Sequence, residues 1–348
     1  MSENGQFAWP AASATGVGSM PGTEPGEAIA VVLGELPELP HLPELPARGP
    51  GADLIGRTAS LLVDMPVQTT ARGWRLAAKP GRDISRAAGL LSADLDAMEE
   101  AAQGYQGPFK IQACGPWTLA ASLELSRSVE PALADAGAVA DLVTSLAEGL
   151  AAHVAAVRRR LPAATVILQL DEPALHGVLA GSVPTASGMY RVAAVDGSDA
   201  ADSLRTVIDC ASAPTVVHSC APEIPFGCIK KAGATAASFD LGRLRRGDED
   251  ALGEAVESGV GMFIGAVPTT PAVLARGQRP DLDGRAAATS VIDLWLRIGL
   301  PAGSLTEQVV VTPACGLAGA TPRDARTVLE RCRAAARLIP ELIEEGAI

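Results

Sequence analysis

The run Thr215-Val216-Val217-His218-Ser219-Cys220 is β-branched and ends in two metal-competent side chains. Side chains alternate along a strand, so His218 and Cys220 leave the strand end on the same side. Neutral imidazole and thiolate together suit zinc. Two ligands do not complete a site, but partners of the right type exist elsewhere in the chain. Cys315, in Val311-Thr312-Pro313-Ala314-Cys315-Gly316, and Asp240, in Ala237-Ser238-Phe239-Asp240, both follow apolar, strand-like runs. The alternative is that His218 and Cys220 are ordinary core residues, since buried free Cys is common. A second constellation is Asp171-Glu172, at the end of Thr165-Val166-Ile167-Leu168-Gln169-Leu170. Two carboxylates where a strand leaves the core can do acid–base work or bind an ammonium. The competing role for Asp171 is to cap the following helix, with Pro173 at its first position. A third is the Gly-rich turn Thr15-Gly16-Val17-Gly18-Ser19-Met20-Pro21-Gly22. Gly16, Gly18 and Ser19 leave backbone N–H groups open, and a helix start nearby favours a carboxylate or phosphate. A plain strand-to-helix turn has the same spacing.

The elements that must position these residues follow from hydrophobic periodicity. Helical spacing is expected over 25–36, 54–62, 94–103, 116–126, 136–160, 200–211, 222–232, 248–258, 284–298 and 322–345. Short apolar strands are expected over 109–113, 165–170, 215–220, 235–240, 261–265 and 308–312. Strand and helix alternate about eight times, which predicts a parallel sheet and a closed (β/α)8 barrel, with an open doubly wound sheet as the alternative. On a barrel the C-terminal strand ends share one face. Ser19, Asp171, His218, Cys220, Asp240 and Cys315 would then converge there. Leu36 to Pro46 repeats a Leu-Pro-Glu-Leu-Pro unit around His41, and its prolines exclude a helix. An ordered loop across the barrel mouth is expected, placing Glu44, Arg48 and Asp53 near the site and His41 in the loop. A polyproline ligand for a partner is the other possibility. His153, inside the 136–160 helix, is expected to be structural.

The chain has 348 residues, 48% of them hydrophobic and 3% aromatic, so its core must be Ala, Val, Leu and Ile. That length suits a single barrel over 1–348 with an N-terminal loop extension. A formal net charge of -12 argues against nucleic acid or an anionic membrane surface as the main partner. No uninterrupted apolar run of about 18 residues suggests a membrane span. Met1 to Pro10 has no basic start and no long apolar run, unlike a secretory signal. Six Cys in so long a chain lack disulfide-scaffold density and suggest a reduced, cytoplasmic setting.

Five motifs, taken together, resemble the C-terminal catalytic domain of cobalamin-independent methionine synthase, including its short archaeal and actinobacterial forms. They are Gly16-Val17-Gly18-Ser19-Met20-Pro21, Gly115-Pro116-Trp117-Thr118, Gln169-Leu170-Asp171-Glu172-Pro173-Ala174-Leu175, His218-Ser219-Cys220 and Pro313-Ala314-Cys315-Gly316-Leu317. The resemblance implies a (β/α)8 barrel that moves a methyl group from a reduced folate to the sulfur of homocysteine. It implies a zinc held by His218, Cys220, Cys315 and Asp240, with Asp240 standing where the family has Glu. It further implies that Ser19 and Gly18 receive the substrate carboxylate and Asp171 its ammonium. Glu44 and Trp117 join the substrate-binding set, and Ser19 and Asp171 are the expected catalytic residues. The family's His ahead of the last Cys has no counterpart in Ile264-Gly265-Ala266-Val267-Pro268-Thr269-Thr270.

The chemistry is coherent. A thiol with a pKa of about 8.5 is mostly protonated at neutral pH. Zinc deprotonates it and leaves the sulfur reactive. The donor expected is 5-methyltetrahydrofolate, as its polyglutamate, or else methylcobalamin on a corrinoid carrier protein. A divergent, non-catalytic barrel that binds an amino acid or thiol is the alternative function.

Overall fold

The computed structural model describes residues 7–269 and 284–347, so part of the expected lead-in and Thr270 lie outside it. In chain order the strands are β1 (Ser13–Ala14), β2 (Val67–Thr70), β3 (Gly73–Leu76), β4 (Pro108–Cys114), β5 (Leu123–Glu124), β6 (Thr165–Asp171), β7 (Thr215–Ser219), β8 (Ala236–Asp240), β9 (Gly261–Val267) and β10 (Val309–Pro313). Seven of them form one sheet in the order β1-β10-β9-β8-β7-β6-β4. Every pairing in it is parallel. Helices connect these strands, as parallel crossovers require.

The gap between β1 and β4 is filled by the proline-rich segment. Leu42 N donates to Lys110 O (2.9 Å) and Lys110 N to Pro40 O (2.9 Å). On its other side Glu44 N donates to Gly18 O (3.1 Å) and Met20 N to Glu44 O (2.8 Å). Residues 40–44 thus take the place of the eighth stave and close the (β/α)8 barrel, which overturns the expectation of a loop crossing its mouth. The reason is spacing. The prolines at 40 and 43 lack N–H groups but leave those of Leu42 and Glu44 free to pair on opposite sides. His41 is accordingly a buried barrel residue, fully enclosed, rather than a loop residue. The doubly wound alternative has no such closure.

The bottom of the barrel is apolar. Leu39, Ile167, Val216, Ala236, Phe263 and Val310 form one layer, and Trp9 plugs it from below. The Trp9 ring meets Phe263 edge-on at 5.0 Å. A Cβ on Gly261 would lie 2.3 Å from the Trp9 ring, so that strand start must be glycine for the plug to seat. Above this layer the interior turns polar.

Two further elements depart from expectation. The helix foreseen at 94–103 begins earlier, as Arg82–Ala101. Its Ala87, Leu91, Leu95 and Met98 recur at helical spacing and are buried, while the polar residues between them masked the stripe. Residues 67–76, where no element is expected, form an antiparallel β2–β3 hairpin, extended by β5 into a three-stranded side sheet. The helix Ala136–Arg160 is as expected. By length and composition it is apolar enough to cross a membrane, but half of its most apolar window is buried in the protein.

His153 sits on that helix, buried against the core. Burial, followed by the charges of Arg57 and Arg160, brings its pKa down to about 3. An unfolded His titrates near 6.5, so the unfolded chain binds the extra proton between these values. Its contribution to stability is therefore complete above about pH 6.5 and is lost as pH falls toward 3. His153→Leu should flatten the acid limb of a melting-temperature profile in that window, by up to a few kcal/mol. Equal acid sensitivity of both proteins would show that His153 is not buried in its neutral form.

Candidate active site

Strand register sets the first level of the site. Cys114 pairs with Asp171, Asp171 with His218 and His218 with Ser238 along β4, β6, β7 and β8. These residues stand side by side at the C-terminal end of the barrel. The β10 loop reaches in from the other side, where Leu317 N donates to Ser19 O (2.8 Å). A Cβ on Gly316 would lie 2.1 Å from Ser19 Oγ. Glycine at 316 is what lets the Ser19 and Cys315 loops pack together.

Two cavities open on this face. The smaller, about 380 Å³, is lined by Gly18, Ser19, Glu44, Asp171, His218, Cys220 and Cys315, among others. The larger, about 970 Å³, is lined by Asp240, Arg243, Ser290, Asp293 and Arg297 and again by Cys220 and Cys315. The two thiols and Gly316 are thus the shared wall between a small acidic cavity and a larger one of mixed charge. The Cys220 thiol donates toward Cys315, which holds Cys315 below the usual thiol range and Cys220 above it.

His218 is buried, and its Nδ1 lies 2.8 Å from Ser238 Oγ. Burial and then the Lys110 charge bring its pKa down to about 3. It is a neutral imidazole with Nε2 as its remaining donor. Asp240 takes a different course. Its Oδ1 accepts from Gly242 N (2.8 Å), and its Oδ2 lies 3.4 Å from Arg243 Nε. It lines the larger cavity only. Among the described residues no group of three or more His, Cys, Asp or Glu is gathered closely enough to hold a metal as the side chains stand. The chemistry of the donor set nevertheless fits zinc: one neutral imidazole and two thiols face one cavity.

The carboxylates divide their roles. Glu172, not Asp171, is the helix cap, and the helix it caps is Pro116–Ser122 rather than the one that follows. Its oxygens accept from Trp117 N (2.9 Å), Thr118 N (2.8 Å) and Thr118 Oγ1 (2.7 Å). Burial still pushes it up to about 7. Asp171 instead faces the small cavity, and Gln169 Nε2 donates to its Oδ1 (2.7 Å). Burial first, then the Glu44 charge, raise Asp171 well above the usual carboxylate range. Glu44 is raised for the same first reason, burial. Its Oε1 makes no hydrogen bond within the protein. Two buried carboxylates with spare acceptor capacity in one cavity invite a cation with several N–H donors.

Other expected residues are placed elsewhere. Trp117 is buried, donates to Ala200 O (3.0 Å), and lines neither cavity. Arg48 pairs with Asp94 (2.6 Å), and Asp53 caps the helix Leu54–Ala59 through Gly56 N (2.9 Å). Residues that sequence reasoning passed over include Lys110, Gln112 and Gln169, all buried inside the barrel. The signal was present: in Phe109-Lys110-Ile111-Gln112-Ala113 polar and apolar residues alternate within a buried strand, so one face of it looks onto a polar interior.

The convergence at the C-terminal face is that of a (β/α)8 barrel enzyme. A family model described as the catalytic domain of cobalamin-independent synthase matches residues 12–338, and the chain belongs to that family. It is an enzyme of the cobalamin-independent methionine synthase class, and this membership supports methyl transfer to homocysteine. Among solved structures it is similar to a B12-independent methionine synthase from Shewanella sp. W3-18-1 in complex with selenomethionine. That match has a TM-score of 0.63 and 12% identity over 96% of this chain and 99% of the other. A mandelate oxidase is matched with a TM-score of 0.28 and 16% identity over 92% and 94% of the two chains, too low to bear on the fold. No curated protein matches in sequence. A family that works without cobalamin gives no support to a corrinoid carrier protein or a methylcobalamin donor, and both are set aside.

The division of carboxylates predicts opposite stability effects. Glu172→Gln replaces an acceptor facing buried donors with an amide N–H, and should cost about 1–3 kcal/mol in a urea titration. Asp171→Asn removes a buried charge without orphaning a backbone donor and should leave the midpoint unchanged or raised. Equal losses in both variants would contradict the division.

Proposed function

We propose that this protein, as one barrel over 1–348, transfers a methyl group from a reduced folate to the thiol of L-homocysteine. What carries the reading is the placement of Cys220 and Cys315 between two cavities of unequal size. An in-line methyl transfer needs the nucleophilic sulfur and the leaving amine on opposite sides of the methyl carbon, and a substrate sulfur held at this shared wall would face a donor in the adjoining cavity.

The smaller cavity takes the amino acid. Glu44 and Asp171 receive the ammonium, which supplies the donors that their oxygens lack. The Gly18–Ser19 turn receives the carboxylate through backbone N–H and hydroxyl. With its head held there, the substrate's side chain extends toward His218, Cys220 and Cys315. These three residues would hold the zinc. When bound there the metal lowers the proton affinity of a coordinated thiol and leaves its sulfur reactive. Asp240 joins them as a fourth, oxygen ligand only by releasing Gly242 and Arg243. It is close enough that its charge acts on Cys315.

The larger cavity takes the folate. Arg243 and Arg297 line it and supply cations for a polyanionic tail. The leaving amine needs a proton. Residues 266–269 offer no His for this, and among the described residues the acids lining the cavity are Asp240 and Asp293. Burial raises Asp240 above its ordinary range, which favours a protonated fraction there. A reduced, cytoplasmic setting would keep the thiols unpaired.

Two measurements test these assignments. Zinc content should be about one per chain in the wild type, fall well below half in Cys315→Ser, and stay unchanged in Cys228→Ser. Retention of zinc by Cys315→Ser would remove it from the ligand set. Asp171→Asn should raise the KM for homocysteine about tenfold to a hundredfold, because a charged hydrogen bond is lost. An unchanged KM would place the ammonium elsewhere.

A further inference from the structure

Lys110 is among the largest fully buried side chains in the protein, and it lines neither cavity. Its ammonium lies inside the barrel, below the small cavity. It donates to Val17 O (3.0 Å) and to Gln169 Oε1 (2.8 Å), with Gln112 Oε1 farther off at 3.5 Å. Gln169 passes the connection on. Its Nε2 donates to Val17 O (2.8 Å) and to Asp171 Oδ1 (2.7 Å). Gln112 Nε2 donates in turn to Leu42 O, in the segment that carries Glu44. A Cβ on Gly18 would lie 2.9 Å from the Gln112 side chain, so the Gly18–Ser19 turn rests directly on this layer.

The connections have a direction. An ammonium has donors only, so it fixes both oxygens it touches. Binding Gln169 through Oε1 orients that amide, and only this orientation aims Nε2 at Asp171. Binding Val17 O sets the backbone just before Gly18 and Ser19. Both ends of the proposed amino-acid clamp are therefore tied to one cation. The ammonium also offsets the charge of the two carboxylates above it. Burial alone would bring Lys110 down, and Asp171 and Glu44 hold it up, leaving it at about 8.

We propose that Lys110 is a positioning residue for substrate binding, which through Gln169 aligns Asp171 with the Gly18–Ser19 turn so that the two ends of the amino acid are gripped together. This rests on the reading of the small cavity as the amino-acid site. Lys110 does not touch substrate in this account.

The test uses the zinc-loaded full chain and measures L-homocysteine binding by calorimetry, with steady-state kinetics alongside. Lys110→Met should weaken binding at least about tenfold and raise KM, with kcat at saturation changed less than KM. Zinc content should stay at the wild-type level. Gln169→Met, which keeps the volume and cuts the same relay, should act in the same direction. The double variant should bind no worse than the weaker single one, because both act through one connection. If Lys110→Met fails to fold, Gln169→Met alone decides. Binding within about twofold of wild type in a folded single variant would overturn the proposal, as would additive losses in the double variant. Failure of the wild type itself to bind L-homocysteine would instead overturn the functional reading on which the proposal stands.

Discussion

A lysine ammonium and two carboxylates enclosed within a barrel must compensate one another, because an isolated buried charge is prohibitively costly. Lys110, Glu44 and Asp171 meet that constraint, with Gln112 and Gln169 supplying the amide oxygens and N–H groups between them. The rest of the upper barrel follows from it. Gly18 must be small because Gln112 lies against it, and Gly16 because the His41 ring does. The apolar layer beneath, sealed by Trp9, isolates this polar layer from solvent at the other end of the barrel. A second charge cluster supports the same wall from outside. Arg57 pairs with Asp94, and its Nε lies 3.6 Å from Glu44 Oε1.

The polar layer ends where chemistry begins. Above it the cavity floor is acidic, its wall carries a neutral imidazole, and its far side carries two thiols. None of these groups alone specifies a reaction. Their arrangement is what supports the proposed methyl transfer, because the thiols border both the acidic cavity and the larger one beyond. In the proposed function a thiol-bearing amino acid takes the first side and an anionic methyl donor the second.

Much of this was legible in the sequence. Alternating strands and helices foretold the barrel, and the barrel foretold the convergence of Ser19, Asp171, His218, Cys220 and Cys315. The proline-rich segment was misjudged because its register depends on partners far away in sequence. Pro40 and Pro43 look like strand breakers until β4 is seen to pair with Pro40 and Leu42, and the Gly18 turn with Glu44. The capping role went to Glu172 instead of Asp171 for a similar reason, since the capped helix is the neighbour's rather than the next in the chain. Lys110 was overlooked because a lysine within a strand reads as an exposed or edge position, and only closure of the barrel makes its face an interior one. Asp240 shows the limit of spacing. Its strand end is where a ligand is expected, yet local donors at Gly242 and Arg243 hold its carboxylate on the side of the larger cavity.

The account stands or falls on turnover. The decisive measurement is methionine formation by the zinc-loaded protein from L-homocysteine and 5-methyltetrahydrofolate polyglutamate, with no cobalamin present. The account predicts methionine in proportion to enzyme, abolished when zinc is removed and restored when it is returned. A folded, zinc-loaded protein that binds L-homocysteine yet forms no methionine from this donor would contradict it.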